Sequence, residues 1–259
     1  MFLAQTAFAA SEGGIEIHLA PSILGYAFGV PITSTLIMSW FVMGLLTALA
    51  FAIYRNIRLA PSKLQSSMEI VVGGAFDYVA DTLESKKLAR SYFPLLMTIF
   101  MFVLTLNWVG LLPGVDSIGI IKGVHGEETL VPFLHPANTD LNITISFALV
   151  AFFAIEIIGI ISLGFFKYGS KFINFSSPLA FLIGIIELFS ELARLVSFSF
   201  RLFGNIFAGK TLLVIAMFFV PFVLPVPILA FEMFVGFIQA FIFAVLTLFF
   251  IKLAIAEPH

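Results

Sequence analysis

The chain has 259 residues, of which 61% are hydrophobic, 11% charged and none cysteine, with a net charge of −2. Soluble domains hold about 25% charged and 45–50% apolar residues, so 13 basic and 15 acidic side chains cannot coat this surface and lipid must surround most of it. A soluble enzyme, a disordered tail, a disulfide scaffold and a thiolate metal site are excluded, and no basic stripe is present to hold nucleic acid.

Taken in chain order, residues 1–33 read as an outer-side N-terminal segment. Its first ten residues are apolar and end in small side chains, but they lack the basic start of a signal peptide and read as a tail. Residues 34–54 form a first span, long enough for ~30 Å of hydrocarbon. Residues 62–84 follow as an amphipathic helix on the inner surface, with Ser62 as N-cap and Leu64, Met68, Val71, Val72, Ala75 and Val79 at helical spacing. The other reading of this segment is a small helix packed on the protein itself. Residues 92–112 form a second span, 113–140 an outer loop and 141–166 a third span. Residues 178–220 are one very long apolar stretch, and Pro221, Pro225 and Pro227 mark a turn before a last span at 228–255.

The predicted fold is an all-α membrane protein in a single membrane domain. It has five membrane-crossing helices, one amphipathic surface helix and a long, steeply tilted final helix hairpin. A single helix over 178–220 would be about 64 Å long, far more than an upright crossing needs. Two upright helices there would instead move the C-terminus to the other side. Basic residues set the sides. Arg55, Arg58, Lys63, Lys86, Lys87 and Arg90 flank the amphipathic helix, and Lys167 and Lys171 follow the third span. The outer loop has only Lys122 against Asp116, Glu127, Glu128 and Asp140. Positive charge marks the inside, so the N-terminus is expected outside and the C-terminus inside.

Seven ionisable residues fall within the apolar stretches: Glu156, Glu187, Glu191, Arg194, Arg201, Lys210 and Glu232. At roughly 2.5–3.5 kcal/mol each, they oppose insertion by something near 20 kcal/mol before pairing. Glu187, Arg194, Ser197, Arg201, Asn205 and Ala208 lie within ~40° of one line down a helix, with Glu191 at its edge and Lys210 on the opposite side. Folding the hairpin near 221–227 brings Arg201 near Gln239 and Lys210 near Glu232. Plainer roles exist. Glu191 and Arg194 can neutralise each other, Glu156 can accept a helix–helix hydrogen bond, and Lys210 with Glu232 can be a static ion pair. Arg201 is too central to snorkel easily. The four His (His18, His125, His135, His259) read as solvated and have no metal-ligand spacing. Trp40 and Trp108 read as interfacial anchors or lipid-facing bulk.

The run from Ser197 through Arg201 and Asn205 to Gly209 resembles the signature of subunit a of F-type ATP synthases. The run from Gln239 to Thr247 resembles that subunit's second motif. Pro136 to Thr144, with Asp140 and Asn142, is similar to the start of its third span, and Asn107-Trp108 with Gly110 and Pro113 to the end of its second. The resemblance implies a non-catalytic stator subunit with two aqueous half-channels, pressed against a rotating c-ring. It also implies peripheral-stalk b-type subunits and other ATP synthase subunits as partners. No cofactor and no metal are expected, and the lipid bilayer is the surrounding medium. The implied setting is an energy-transducing membrane, a bacterial plasma membrane first and an organellar inner or thylakoid membrane second. Arg201 is implied to face the ring carboxylate, with Asn205 and Gln239 close by. Glu187 and Ser197 are implied to serve the inner half-channel, and Lys210 and Glu232 the outer one. At that outer pair the family commonly has Glu with His; Lys210 departs from this and leaves Glu232 as the better proton carrier. Glu191, Arg194, Glu156 and Asp140 are secondary candidates. A stand-alone channel or secondary transporter is the alternative. No phosphate-binding glycine loop is present, so ATP chemistry is not expected here.

Overall fold

A computed structural model of the chain describes residues 21–27, 29–56, 63–112, 114–124, 127–172, 177–221 and 223–256. The first ten residues, the expected cap at Ser62, Pro113, and His18, His125 and His259 lie outside the described residues.

A two-stranded hairpin opens the described chain, β1 (Ile23–Ala27) pairing antiparallel with β2 (Val30–Thr33), and Gly29 turns it at φ +80°. Then come α1 (Ser34–Asn56), α2 (Lys63–Leu83) and α3 (Lys86–Gly110). A second hairpin follows, β3 (Gly119–Val124) with β4 (Glu127–Pro132). Next are α4 (Leu141–Leu163), a short α5 (Phe165–Gly169), α6 (Pro178–Phe219) and α7 (Pro225–Ile255). The molecule is mainly helical, as expected, and the N-terminal segment and the 113–140 loop each hold a short hairpin that the sequence reading did not anticipate. Their strands are four to six residues long, too short for alternation to stand out.

Helix ends are set by local chemistry. Glu84 takes a left-handed conformation (φ +54°) between α2 and α3, and the Leu88 N–H donates to Ser85 Oγ at 3.3 Å. This cap starts α3 six residues before the expected 92, because its first turn carries Lys86, Lys87 and Arg90 rather than apolar residues. Gly164 (φ +84°) breaks α4 three residues before the expected 166. Ser177 caps α6, accepting from the Ala180 N–H at 3.0 Å. Pro225 opens α7 ahead of the expected 228, since proline lacks only an N–H that the first turn leaves unpaired.

Among the described residues, four helices are long and apolar enough to cross a membrane: α1 over Ser34–Arg55, α3, α4 and α7. Large side chains such as Phe51, Phe153, Ile161, Phe218 and Phe234 are exposed. With these helices, such a surface defines an integral membrane protein. The stretch 178–220 is one helix, not two, and at 1.5 Å per residue it is about 63 Å long.

The helices pass through two compact units. One comprises the described residues up to Met43 with Leu104–Thr144 and Ser199–Gln239; the other comprises Gly44–Val103, Ile145–Phe198 and the described residues from Ala240 on. The second has its core at Val79, Ala80, Leu83, Leu96, Ile155, Leu248 and Ile251. The end of α2 is thus packed on the protein, whereas Met68, Ile70 and Val71 in its first half are exposed. The reading of a helix packed on the protein describes the second half of α2. Lys252 of α7 binds Glu84 at 2.8 Å. That hydrogen bond and charge hold the Glu84 carboxyl below its usual range, so this exposed pair is lost only as pH falls through the lowered value.

Candidate functional site

α6 and α7 run antiparallel. In the first unit Gly209 lies against the Glu232 carboxylate, which a Cβ at 209 would collide with. In the second, Phe198 meets Phe243 with ring centroids 4.7 Å apart. The register is that of a hairpin turning near 221, with Glu232 one position from the expected partner.

Within the first unit, Arg201 is half-buried near the middle of α6. Asn205 Nδ2, one turn further on, and Gln239 Nε2 of α7 are buried amide donors with no acceptor among the described residues. Such orphan donors are costly. Glu232 is 4% exposed, and its Oε2 also lacks a partner. Lys210 does not pair with Glu232. Its ammonium donates to Asp116 Oδ2 at 2.9 Å and touches the His135 ring nitrogens at 3.1 and 3.3 Å. His135 Nδ1 in turn lies 2.8 Å from Asp116 Oδ1. Burial alone would raise the Asp116 carboxyl, but the His135 hydrogen bond and the Lys210 charge outweigh it and hold it below the usual range.

This corrects two expectations. The static Lys210–Glu232 pair is absent, because the segment after α3 offers Lys210 a carboxylate on the other side of its helix. His135 is not a freely solvated side chain. Sequence reasoning missed it because its partners are 19 and 75 residues away. Trp108 is also more than an anchor, since its indole N–H donates to the Met233 carbonyl at 3.0 Å. Beside it Asn107 Nδ2 donates to the Gly236 carbonyl at 3.0 Å and Oδ1 accepts from Asn138 Nδ2 at 2.6 Å. Small Gly236 lets the two helices approach this closely.

Asp140 caps α4. Its Oδ1 accepts from the Asn142 N–H at 2.9 Å and its Oδ2 from the Thr35 hydroxyl of α1 at 2.8 Å, with the residue 4% exposed. Removing it unmakes the cap and leaves the buried Thr35 hydroxyl with Thr33 Oγ1, 2.9 Å away, in place of a charged acceptor. Asp140→Ala is therefore expected to cost about 2 kcal/mol of stability, read as a lowered thermal midpoint of the detergent-solubilised protein. An unchanged midpoint would dispose of the capping role.

Within the second unit the other candidates pair locally. Glu187 meets Lys171 at 2.8 Å, and Glu191 accepts from Arg194 at 2.7 Å. The Arg194 guanidinium stacks 3.7 Å from the Phe250 ring centroid. Glu156 accepts from the Tyr168 hydroxyl at 3.0 Å. Burial first, then the Glu156 carboxylate, push the Tyr168 phenol well up, which keeps it a donor. The plainer readings of Glu191, Arg194 and Glu156 thus describe their contacts. Ser197, on the outward face of α6, is exposed. No group of three or more His, Asp or Glu able to hold a metal occurs among the described residues.

A lipid-embedded helical protein with a charged, partly unsatisfied polar file on its last two helices belongs to the class of membrane proteins that handle ions. Comparison with known proteins narrows the class. The family described as "ATP synthase A chain" matches residues 36–252. The chain is 33% identical to "ATP synthase subunit a 3" of Pelobacter propionicus, over 93% of this chain and 94% of that one. It is 35% identical to "ATP synthase subunit a" of Campylobacter curvus over 79% and 83%, and 31% identical to that of Moorella thermoacetica over 90% and 96%. The chain belongs to the ATP synthase A chain family.

Proposed function

We propose that this chain is the proton-translocating stator subunit in the membrane sector of an F-type ATP synthase. It supplies two half-channels to a rotating c-ring, with Arg201 facing the ring carboxylate. In this reading the chain acts as one membrane domain of five crossings in a bacterial plasma membrane, N-terminus outside and C-terminus inside. The α6–α7 hairpin lies steeply tilted against the ring, and b-type peripheral-stalk subunits hold the chain still. The ATP chemistry resides in other subunits of the complex.

The supporting observation is the placement of Arg201 midway along an unbroken 42-residue helix, one turn before the orphan amide donor of Asn205, with a second orphan donor at Gln239 of α7. An arginine keeps its proton and is a fixed positive charge. A ring carboxylate arriving opposite it is favoured in the ionised form and releases its proton, and the two amides offer the donors an ionised carboxylate needs. The fixed charge also repels hydrated cations. A leak between half-channels would waste about 2.3 kcal/mol per charge at 100 mV. Glu232 and Lys210 serve the outer half-channel, Glu187 and Ser197 the inner. Glu191, Arg194, Glu156 and Asp140 keep supporting places. Affinity isolation of the tagged chain from its native membrane should bring down a ring of small helical-hairpin subunits, each with one carboxylate at mid-membrane depth. Recovery of the chain alone in every mild detergent would count against the reading.

A further inference from the structure

Position 210 carries lysine, yet an imidazole stands beside it. His135, just before Pro136, touches the Lys210 ammonium through both ring nitrogens and Asp116 through Nδ1. Asp116 is 44% exposed, Lys210 30% and His135 21%, so the cluster opens at the surface of the chain. Asp116 and Lys210 also line a cavity of about 300 Å³ that extends to Asn107 and Asn138. Its lining is mainly apolar, with Asn107, Asp116, Ser117, Asn138 and Lys210 as polar groups, and it has room for several waters. The Asn138 Oδ1 atom is buried there without a partner. Gly209, the residue before Lys210, carries the Glu232 carboxylate against its Cα. Asp116 and Lys210 are the charged groups in contact with the imidazole. Of the nearby acids, Asp140 is engaged with Thr35 and Asn142, and Glu232 is turned to Gly209.

We propose that His135 is the proton-accepting group at the mouth of the outer half-channel, with Asp116 as its positioning residue and Lys210 as a fixed charge that speeds proton release. The proposal rests on the function argued above and assigns that channel its first carrier. Asp116 accepts from Nδ1–H and so fixes the tautomer, leaving the Nε2 lone pair to the Lys210 ammonium. A proton from the outer water adds to Nε2 and gives the imidazolium, while Lys210 keeps its bond to Asp116 Oδ2. The cluster then holds two positive charges against one negative. That excess drives the Nε2 proton through cavity water to the unpartnered Oε2 of Glu232. Neutral His135 and a protonated Glu232 result, and the acid hands its proton to the ring.

The test uses the assembled synthase in vesicles, reading ATP synthesis driven by an imposed proton gradient. His135→Gln keeps a donor for Asp116 but cannot titrate; His135→Ala leaves space beside the cavity. His135→Gln should lower the rate about tenfold near neutral pH and flatten the rate–pH profile. Millimolar imidazole should restore much of the His135→Ala rate. Wild-type rates and profile in the Gln variant overturn the proposal. So does a loss that is equal at every pH and indifferent to imidazole, which would mark a merely structural histidine. Arg201→Ala run in parallel separates the two readings. If it abolishes synthesis while the His135 variants behave as wild type, only this inference fails; if it leaves synthesis intact, the function itself is wrong.

Discussion

Arg201→Ala in the assembled complex should abolish ATP-driven proton pumping, to below about 1% of the unmodified rate, with the subunit still incorporated. Arg201 supplies an undissociable charge midway along α6, and alanine leaves nothing to drive the proton from the ring carboxylate. A difference of one unit in that carboxylate's pKa corresponds to about 1.4 kcal/mol, so losing a close charge in a low-dielectric site costs several such units of driving force. Alanine is a good helix former, so α6 should persist. The measurement is acidification of vesicles on ATP addition, alongside quantification of the incorporated subunit. Pumping at a normal rate with the subunit present would remove Arg201 from the mechanism.

The second large effect is expected at Glu232. It is buried against Gly209 with one carboxylate oxygen unpartnered, and in the proposed function it exchanges protons rather than holding a static bond. Glu232→Gln keeps the shape and cannot carry a proton, so uptake from the outer side should fall by about 10²-fold, within the usual range for a lost acid–base group. Lys210→Gln should cost only a fewfold, since Lys210 is bound to Asp116 and His135 and in the proposed path is a fixed charge rather than a carrier. Initial rates of gradient-driven synthesis in both variants decide the matter. A larger loss at Lys210 than at Glu232 would reverse the assignment of the carrier.

Much of the fold was legible because lipid imposes a simple rule. A backbone without water must satisfy its own hydrogen bonds, so long apolar runs become helices. α1, α4, α6 and α7 fall where those runs lie, and the unbroken α6 follows from a 42-residue stretch with Gly184, Gly204 and Gly209 but no internal proline. The start of α3 was not legible, because a polar first turn capped by Ser85 resembles a loop in composition. Nor was the β3–β4 hairpin, whose two strands satisfy each other's backbone outside the apolar runs.

The candidate site divides in the same way. Periodicity along one helix is local information, and it was enough to align Glu187, Arg194, Ser197, Arg201 and Asn205. The distance of each residue from the expected turn put Gln239 on the returning helix opposite Arg201, whereas the preference for Glu232 over Lys210 came from the family resemblance and the lysine that stands where an imidazole is usual. What the sequence could not supply is which charge finds which partner. Lys210 turned from the hairpin to Asp116, 94 residues away, and His135 joined them across 75. Such pairings depend on where a folded loop sets down a carboxylate and an imidazole. No periodicity encodes that position. The sequence by itself determined the solvent, the positions of most of the long apolar helices and the helix that carries Arg201, because burial and helical spacing are properties of short segments. Only the tertiary structure decided the partners of Lys210, the isolation of Glu232 and the place of His135, because long-range electrostatic contacts exist only once the chain has closed on itself.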